Sequence, residues 1–278
     1  MPGTLFLVAT PIGNLADITA RALETLARVS FVVCEDTRHS RGLLQHHGIS
    51  RELVSMPAFA EKERMGSILA RVEAGEDAAL VTDAGSPGVS DPGEPLVAEA
   101  VARGLTVVPV PGPAALVAAL TASGLPTGRF HFLGFLPRSG PERAEMLEEV
   151  AALRATLVLY ESPRRVAETL VDLHAAWGER RACIARELTK RHEEFLRGTL
   201  SELAAQCAGQ ELLGEIVVVV EGRTGEARWS EQEVRGALSA GLSRGEKLKG
   251  LSTELARRAG WSAQELYRMG LQLKQRPE

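Results

Sequence analysis

The sequence predicts an α/β protein with two sheets and a helical C-terminal region. Short apolar runs of strand length alternate with helical patterns through the first 222 residues, the order typical of strands wrapped by helices. Gly- and Pro-rich loops follow several of these runs. After the polar segment 221–230, no strand signal remains, so the last part of the chain is predicted to be two or three helices.

The first part of the chain is predicted to form a mostly parallel sheet. Its strands are predicted over Leu5–Ala9, Phe31–Cys34, Ala78–Val81 and Thr106–Val110. Helices are predicted after an N-cap at Asp17, near Pro95–Arg103, and over Pro113–Ser123; the first would turn Ala22, Leu23 and Leu26 inward. Ligands collect outside the carboxyl ends of the strands in such sheets, so we expect the site there.

A second α/β domain, with a mixed sheet, is predicted after the Gly- and Pro-containing segment "SGLPTGR" at 123–129. Helices are expected to open near Pro141 and Pro163, where proline suits a first turn. We therefore predict domains at 1–122, 123–224 and 225–278, the last including a helical hairpin with its turn at Gly260 and Ser262. The predicted strands of the second domain are Phe130–Leu136, Thr156–Tyr160, Ala182–Arg186, Phe195–Thr199 and Glu215–Glu221.

Charge is distributed unevenly along the chain. The whole sequence has a net charge of −4, but residues 223–278 contain 11 Lys and Arg against 7 Asp and Glu, and residues 1–222 carry −8. This pattern indicates a basic appendage on an acidic body. The sequence contains neither a basic, apolar export signal nor a run of membrane-spanning length, so we expect a cytoplasmic protein without a membrane partner. Cys34, Cys183 and Cys207 lack disulfide or zinc spacing and are predicted to be reduced and buried.

Three Gly- and Pro-rich loops should lie together at one edge of the first sheet: "TPIGN" (10–14), "DAGSPGVSDPG" (83–93) and "PGPAA" (111–115). None contains Lys or Arg, which a phosphate cradle normally provides. The middle loop instead carries Asp83 and Asp91, so its lining favours a ligand with a positive centre and an apolar portion, such as S-adenosylmethionine. The alternative is that both acids only make turns; we favour ligand contact for Asp83 and a turn for Asp91.

Charged residues also follow other predicted strands. In "CEDTRHS" (34–40), Glu35 and Asp36 beside Arg38 fit either a buried pair that orients a substrate or a helix N-cap. The charges in "YESPRR" (160–165) and "ARELTKRHEE" (185–194) fit either a solvated surface or contacts to a polyanion backbone. The histidines of the region after Cys34 lack companion metal ligands, so no metal is predicted.

Eight motifs occur in a fixed order along the chain: "ATPIGNL", "CEDTRHS", "VTDAGSPGVSDPG", "VPGPAA", "GFLPR", "YESPRR", "ARELTK" and "GEIVVVVEG". In this order of motifs the chain resembles the ribosomal RNA small subunit methyltransferase I family, which has the tetrapyrrole methylase-like (class III methyltransferase) fold. The resemblance implies a homodimer that binds S-adenosyl-L-methionine in a cleft and methylates the ribose 2′-hydroxyl of a cytidine in the decoding region of 16S rRNA. The partner would be 16S rRNA or the small ribosomal subunit.

The resemblance also implies site residues. The implied cofactor site contains Pro11, Gly13, Asn14, Asp83, Ala84, Gly85, Ser86, Val89, Pro113, Ala114, Ala115, Tyr160, Glu161, Gly214 and Glu215. Candidates for proton removal or substrate orientation are Glu35, Asp36, Glu161 and Lys190. Asp83 and the Gly85 backbone are expected to hold the methionine end of the cofactor.

RNA contacts are expected from basic residues in both the body and the tail. In the tail, Leu248, Leu251, Leu255, Leu266 and Met269 would form an apolar core, and the cations would contact phosphates without reading bases. The alternative is an ordinary solvated helix surface. The candidate RNA contacts are Arg38, Arg138, Arg143, Arg164, Arg165, Arg186 and Lys190 in the body, and Arg244, Lys247, Lys249, Arg257, Arg258 and Arg268 in the tail.

Two departures from the family pattern limit this transfer. Phe59 and Ala60 replace polar residues frequent in the family, and the segment after "FLP" lacks a common lysine, which leaves Arg138 and Arg143 there. Two other functions fit parts of the sequence. A uroporphyrinogen or precorrin methylase would share the cleft but lack the basic tail, and a non-enzymatic RNA-binding assembly factor would have a vestigial cleft.

Overall fold

The computed structural model describes residues 1–57, 61–209, 212–224, 229–259 and 261–275. Two compact units make up the chain, Met1–Gly222 and Arg223–Glu278. The first unit contains both sheets and the second is helical. Phe59 and Ala60 lie outside the described residues, as does Gly260 of the predicted hairpin turn.

The first sheet has five parallel strands in the order β3-β2-β4-β1-β5. The parallel prediction is confirmed, although the half-exposed strand β3 was not predicted because its short sequence "ELVS" has little apolar character. The strands are β1 (Thr4–Val8), β2 (Phe31–Cys34), β3 (Glu52–Ser55), β4 (Ala78–Leu80) and β5 (Thr106–Val110).

Helices cover both faces of this sheet, because successive strand residues point to opposite sides and both sets are apolar. Leu5 of β1 belongs to one core cluster, and its neighbour Phe6 belongs to the other. The helices that connect or follow the strands are α1 (Ala20–Arg28), α2 (Thr37–His46), α3 (Glu61–Glu73), α4 (Glu94–Ala102) and α5 (Ala115–Ala122).

The predicted N-cap of α1 was wrong. Asp17 ends a short 3-10 helix, Leu15–Asp17, and the side chain of Thr19 caps α1 by accepting the N–H of Ala22 at 3.1 Å. Asn14 caps the 3-10 helix instead. Asp and Thr are both good N-cap residues, so composition alone could not choose between them.

The second sheet is mixed, as predicted. Its order is β6-β7-β10-β8-β9, in which β6 and β7 are parallel and the other neighbours are antiparallel. The strands are β6 (Phe130–Phe135), β7 (Thr156–Glu161), β8 (Arg181–Arg186), β9 (Glu194–Thr199) and β10 (Ile216–Val220). The helices are α6 (Pro141–Ala151), α7 (Val166–Trp177) and α8 (Leu200–Cys207).

The two faces of the second sheet pack against different parts of the chain. Leu157 and Leu159 of β7 face a core that includes residues of α6, α7 and α8. Val158, between them, faces a core that includes Ala119 and Leu120 of α5. Helix α5 follows the last strand of the first sheet, so this packing joins the sheets into one unit. The division into two domains at residue 122 therefore remains a prediction.

The second unit consists of three helices, α9 (Glu231–Ser243), α10 (Leu248–Ala259) and α11 (Ala263–Gln275). A capping box at Ser230 and Glu233 opens α9. Val234 and Leu238 of α9 join the five apolar residues predicted for the core of this unit. The buried residues from the prediction are Leu248, Leu251, Leu255, Leu266 and Met269.

Cys34, Cys183 and Cys207 are free and buried, and burial raises the pKa of each thiol. They behave as small apolar core residues, as predicted. Within the described part of the chain, no helix combines the length and the apolar character needed to cross a membrane.

Arg143 on α6 is buried, with its guanidinium bonded to Asp172 (2.8 Å), the Pro137 carbonyl (2.9 Å) and Thr169 (3.1 Å). We expect Arg143→Ala to lower the free energy of unfolding by about 1.5–3 kcal/mol because it removes charged hydrogen bonds from the interior. Urea denaturation measures this, with the exposed Arg138→Ala as control, for which we expect a change within about 0.5 kcal/mol. Equal effects of the two variants would contradict this role.

Candidate functional site

The loops after β1, β4 and β5 meet at the carboxyl edge of the first sheet. Thr10 and Gly85 exchange backbone hydrogen bonds of 2.9 and 3.1 Å, so the first two loops are tied by an isolated bridge. The Thr10 hydroxyl also donates to the Thr82 carbonyl at 3.0 Å. These strands are adjacent in the sheet, and this is why their loops converge as the sequence predicted.

The loop after β1 also meets the second sheet. A Cβ atom at Gly13 would lie 2.6 Å from Cγ of Lys190 and 2.9 Å from the Leu188 carbonyl oxygen, in the segment after β8. Only glycine allows this close approach without a shift of one loop. Gly13 therefore holds the two sheets' loops together; it was predicted as a cofactor contact.

A cavity of about 410 Å³ lies between these loops and the second sheet. Its volume is in the range of small-molecule sites. Residues from both sheets form the lining: Ile12, Ala84, Gly85, Ser86, Val89, Ser90, Asp91, Ala114, Ala115, Leu116, Phe135, Tyr160, Glu161, Ser162, Pro163, Leu188, Gly214, Glu215, Ile216 and Val217.

The charged residues of this lining are all acidic. Asp91, Glu161 and Glu215 contribute carboxylates, and no Lys, Arg or His is present among the described residues of the lining. Most of the remaining lining is small or apolar. This chemistry fits an apolar ligand with a positive centre and disfavours a polyphosphate, for which cationic or N–H-rich loops are typical.

Ten of the fifteen predicted cofactor residues line the cavity. Of the five others, Asn14 caps the 3-10 helix, and Gly13 lies close to Leu188 and Lys190. The carbonyl oxygen of Pro113 would lie 3.8 Å from a Cβ atom at Gly85. Pro11 and Asp83 line a second cavity. The ten that line the first cavity are Ala84, Gly85, Ser86, Val89, Ala114, Ala115, Tyr160, Glu161, Gly214 and Glu215.

The second cavity, of about 350 Å³, lies on the α2 side of the same loops. Oδ1 of Asp83 is buried there without a hydrogen-bond partner among the described residues. Asp83 does not line the first cavity, so its position does not support the predicted contact with the methionine end of the cofactor. The lining consists of Thr10, Pro11, Leu15, Arg38, His39, Gly42, Leu43 and Asp83.

Asp36 is the N-cap of α2, which supports the capping alternative for this acid. Its Oδ1 accepts the N–H of Arg38 at 2.8 Å, and its Oδ2 lies 2.7 Å from the Arg38 guanidinium. These bonds lower the pKa of Asp36 to about 2. Such an acid is a poor proton acceptor at neutral pH.

Two carboxylates near the loop edge, Asp91 and Glu35, have raised pKa values. Burial raises the pKa of Asp91 to about 6, with further contributions from Glu35 and Asp83. Burial also raises the pKa of Glu35, and the charges of Asp83 and Asp36 act in the same direction. Like charges close together in a partly desolvated site disfavour ionisation, which raises the pKa. The clustering of these acids also gives this edge of the sheet a negative electrostatic potential.

Glu161 is a buried structural acid that also lines the cavity. Its Oε1 accepts the N–H of Ser162 at 2.7 Å, and its Oε2 accepts the hydroxyl of Thr169 at 2.7 Å. Arg165 lies 3.5 Å from the same carboxylate and donates to the Leu136 and Pro137 carbonyls. The network positions the loop after β7, and it occupies both Glu161 oxygens.

Tyr160 joins β7 to the first turn of α5. Its hydroxyl accepts the N–H of Leu116 at 3.3 Å, and its ring packs edge-on against Phe132 and Phe135. Burial raises the pKa of Tyr160, and the carboxylate of Asp91 raises it further. Tyr160 and Asp91 thus both line the first cavity, and the Tyr160 hydroxyl binds the N-terminal end of α5.

Lys190 is held by two carboxylates, at 3.0 Å from Glu187 and 2.8 Å from Glu215. Burial lowers the pKa of Lys190, but the hydrogen bonds to Glu215 and Glu187 outweigh burial and raise it above its ordinary value. Lys190 is therefore a cation at neutral pH, so its free amine is not available as a base.

The predicted RNA contacts of the body divide into engaged and exposed residues. Arg143 and Arg165 bind groups of the fold, and Arg186 pairs with Glu194 at 2.5 Å. Arg143 was predicted to anchor RNA, but its guanidinium is buried and bonds groups of the fold instead. Arg38, Arg138 and Arg164 are exposed.

In the tail, Arg244, Lys247, Lys249 and Arg268 are exposed. Arg244 pairs with Glu246 at 2.8 Å. The side chains of Arg257 and Arg258 lie outside the described structure, so their contacts to RNA remain predictions.

Sequence reasoning missed several lining residues. It assigned Asp91 to a turn, and it did not single out Leu116, Phe135 or Leu188. Their apolar character is shared with core residues, so only the topology that opposes the two sheets could identify them. Within the described residues, no group of three or more His, Cys, Asp or Glu could hold a metal.

Comparisons with known proteins identify the family of this chain. Residues 4–204 match the family described as Tetrapyrrole (Corrin/Porphyrin) Methylases. Proteins named ribosomal RNA small subunit methyltransferase I are 42% identical over 98% of this chain and 99% of the relative in Synechocystis sp., and 48% identical over 97% and 92% in Mesorhizobium japonicum. The chain belongs to the ribosomal RNA small subunit methyltransferase I group of the tetrapyrrole methylase family. The predicted resemblance is therefore confirmed.

The fold is shared with solved methyltransferases. Uroporphyrin-III C-methyl transferase from Thermus thermophilus, solved in complex with S-adenyl homocysteine, has a TM-score of 0.57 and 20% identity, over 78% of this chain and 97% of the other. The tetrapyrrole methylase-like fold prediction is confirmed. S-adenosyl-L-methionine is the cofactor of this methyltransferase family member, and the acidic, cation-free lining of the first cavity suits its positive sulfur.

Ala115 lines the cavity at the start of α5, whereas Val117 on the same helix is 49% exposed. We expect Ala115→Trp to weaken S-adenosylmethionine binding by at least about tenfold because the indole would occupy the cavity. Val117→Trp is the matched control and should bind normally. Isothermal calorimetry measures both variants. Normal binding by a folded Ala115→Trp protein would exclude this cavity as the cofactor site.

Proposed function

We propose that the protein transfers a methyl group from S-adenosyl-L-methionine to the ribose 2′-hydroxyl of a cytidine in the decoding region of 16S rRNA. The name shared by the curated relatives supports the rRNA substrate. The observation that carries the cofactor part is the first cavity, whose described lining has three acidic residues and no cation. The cytidine and the 2′-oxygen come from the family resemblance of the motifs.

The proposed reaction is a direct displacement. The bound cofactor supplies a methyl carbon on a positively charged sulfur. The chain supplies apolar contact surface from Ile12, Val89 and Phe135, and acidic residues whose negative potential favours the positive sulfur. It also supplies the Tyr160 bond to α5, which fixes the distance between the two halves of the lining. Holding both reactants in one geometry is a large part of such catalysis.

The tail supports RNA over a tetrapyrrole as the substrate. The family match ends at residue 204, and the solved uroporphyrin-III C-methyl transferase covers 78% of this chain. Two relatives named for ribosomal RNA align over 97–98% of this chain, which includes the basic helical unit, whereas four others of the same name align over 79–80%. A polyanionic substrate would account for the excess of Lys and Arg in this unit of the chain.

Labelled S-adenosylmethionine tests this proposal directly. The protein is incubated with small ribosomal subunits that lack the modification, with naked 16S rRNA, and with uroporphyrinogen III. We expect label in rRNA, released after digestion as 2′-O-methylcytidine and mapped to the decoding region by mass spectrometry. Label in the tetrapyrrole but not in either RNA substrate would refute the proposal. Label on a base nitrogen or carbon would refute the 2′-oxygen assignment.

We further propose that the tail docks the RNA through phosphate contacts. Lys247 and Lys249 are exposed at the start of α10, and Arg268 is exposed on α11, around a buried apolar core. The apolar core residues stabilise the three helices, and these exposed cations do not belong to that core. Phosphate contacts of this kind release counterions, so binding should weaken steeply with salt.

We expect the triple variant Lys247→Ala, Lys249→Ala, Arg268→Ala to bind rRNA more weakly and to reduce the slope of log affinity against log salt by about 2. Cofactor affinity should not change. The matched control is Arg235→Ala in the same unit, where the guanidinium is paired with Glu231 at 2.7 Å. A salt titration by filter binding measures the slopes. Identical slopes for the triple variant and the unaltered protein would place RNA docking elsewhere.

The family resemblance also implies a homodimer in the cytoplasm, and we propose both for this protein. Sedimentation of the purified chain at micromolar concentration tests the dimer. A monomer at all concentrations would contradict it.

A further inference from the structure

Of the four residues predicted for proton removal or substrate orientation, three are engaged in the fold in ways that disfavour proton acceptance. Asp36 caps α2 with a pKa of about 2, both oxygens of Glu161 accept hydrogen bonds, and Lys190 is held between Glu187 and Glu215. Glu35 lines neither the first nor the second cavity. The reaction nevertheless releases a hydroxyl proton, so another group should accept it.

Asp91 lies where such a group is needed. It lines the first cavity together with Ala84, Gly85 and Ser86, which follow β4. Of the other two acids in the lining, Glu161 is engaged by hydrogen bonds and Glu215 is paired with Lys190. No Lys or Arg in the described ranges forms an ion pair with Asp91. It is therefore a carboxylate in the cofactor cavity that no cation neutralises.

The backbone holds Asp91 in this position. Its neighbour Ser90 has a positive φ of 61°, which is uncommon for a residue other than glycine. The Ser90 side chain packs against β6, where a Cβ atom at Gly134 would be only 3.3 Å from the Ser90 Oγ. The loop after β4 is therefore pressed against the second sheet, and Asp91 is presented to the cavity between the sheets.

The surroundings of Asp91 suit proton acceptance near neutral pH. Burial is the main cause of the raised pKa of Asp91; the charges of Glu35 and Asp83, after β2 and β4, raise it further, and the Thr82 side chain lowers it. The charge of Asp91 also raises the pKa of Tyr160 on β7. Glu161 and Glu215 are the other acids of the cavity. With a pKa of about 6, Asp91 is ionised at pH 7 yet more basic than an ordinary aspartate, which favours general base catalysis.

We propose that Asp91 accepts the proton of the ribose hydroxyl during methyl transfer. This inference rests on the function proposed above. As the O–H bond breaks, its proton passes to the Asp91 carboxylate, and the ribose oxygen forms a bond to the methyl carbon. The bond between methyl carbon and sulfur breaks, and its electron pair stays on the sulfur, leaving S-adenosylhomocysteine. Asp91 then releases the proton to solvent, which restores the carboxylate.

The test compares Asp91→Asn with the full-length unaltered protein on the ribosomal substrate. General base catalysis contributes about 100- to 10,000-fold, so we expect kcat to fall by that factor. The asparagine has nearly the same shape and keeps the cavity, so binding of S-adenosylhomocysteine by calorimetry should stay within about twofold of the unaltered value. Glu94→Gln is the matched control, since Glu94 is an exposed acid at the start of α4, outside the cavity, and should keep full activity.

The pH profile separates proton acceptance from a structural role. For the unaltered protein, kcat/KM should rise with pH through an inflection near pH 6 as Asp91 ionises, and this inflection should vanish in Asp91→Asn. Glu35→Gln removes a negative charge that raises the pKa of Asp91, so it should move the inflection to lower pH. Mutation of a merely structural acid would not produce that shift.

A binding measurement gives a readout independent of turnover. If Asp91 lies near the reacting methyl, its ionisation should favour the positively charged S-adenosylmethionine over the neutral S-adenosylhomocysteine. The affinity ratio of the two ligands should rise several-fold between pH 5 and pH 7.5, and it should be flat in Asp91→Asn.

Three outcomes would overturn the inference. A folded Asp91→Asn protein with normal kcat and an unchanged acid inflection removes Asp91 from the reaction. Equal losses of kcat and S-adenosylhomocysteine affinity make it a binding residue only. If the unaltered protein binds the cofactor but methylates no ribosomal substrate, the proposed function fails and the inference fails with it, whereas an active unaltered protein confines any failure to Asp91.

Discussion

The packing of α5 against the second sheet is the interaction on which the site depends. Ala119 and Leu120 belong to the same buried cluster as Val158, Val217 and Val219 of β7 and β10. Each fully buried Val or Leu side chain contributes about 1.5–3 kcal/mol. Helix α5 follows β5 after a short loop, so this seam fixes the carboxyl edge of the first sheet opposite the ends of β7 and β10. The first cavity is the space that remains between them.

Two polar contacts refine the spacing that the apolar seam sets. The Tyr160 hydroxyl accepts the N–H of Leu116, and the loop after β1 approaches Leu188 and Lys190 through the missing side chain of Gly13. Lys190 in turn pairs with Glu187 and Glu215. Lys190, next to the cavity, is thus engaged in holding its walls, whereas the charged residues of the described lining are all acidic. The same arrangement stabilises the fold and gives the cavity a lining that suits a positively charged ligand.

The sequence predicted those features of the structure that depend on the pattern of apolar residues and on the order of the loops along the chain. Alternating apolar runs predicted both sheets, and the order of Gly- and Pro-rich loops predicted most of the cavity wall. Neither pattern could show which polar side chains are buried in the fold and engaged by hydrogen bonds. Arg143 and Glu161 have surface-type residue identities but are buried by contacts far apart in sequence, to Asp172 and Thr169.

Asp91 shows the opposite case. Its setting before Pro92 and Gly93 is typical of a turn. Its pKa is raised mainly by burial and further by Glu35 and Asp83, and the strand order of the first sheet brings Glu35 near. A local pattern cannot encode such long-range electrostatics. The strand β3 was missed for a related reason: its pairing with β2 rather than its composition defines it.

We propose that the first cavity, between the two sheets, is the cofactor site. A crystal structure of the protein with S-adenosylhomocysteine tests this most directly. We expect ligand density bounded by Ala84–Ser86, Ala114–Leu116 and Gly214–Val217, with the thioether sulfur on the side of Asp91. Density for the ligand in the second cavity, beside Asp83 and Arg38, with the first cavity holding only solvent, would contradict it.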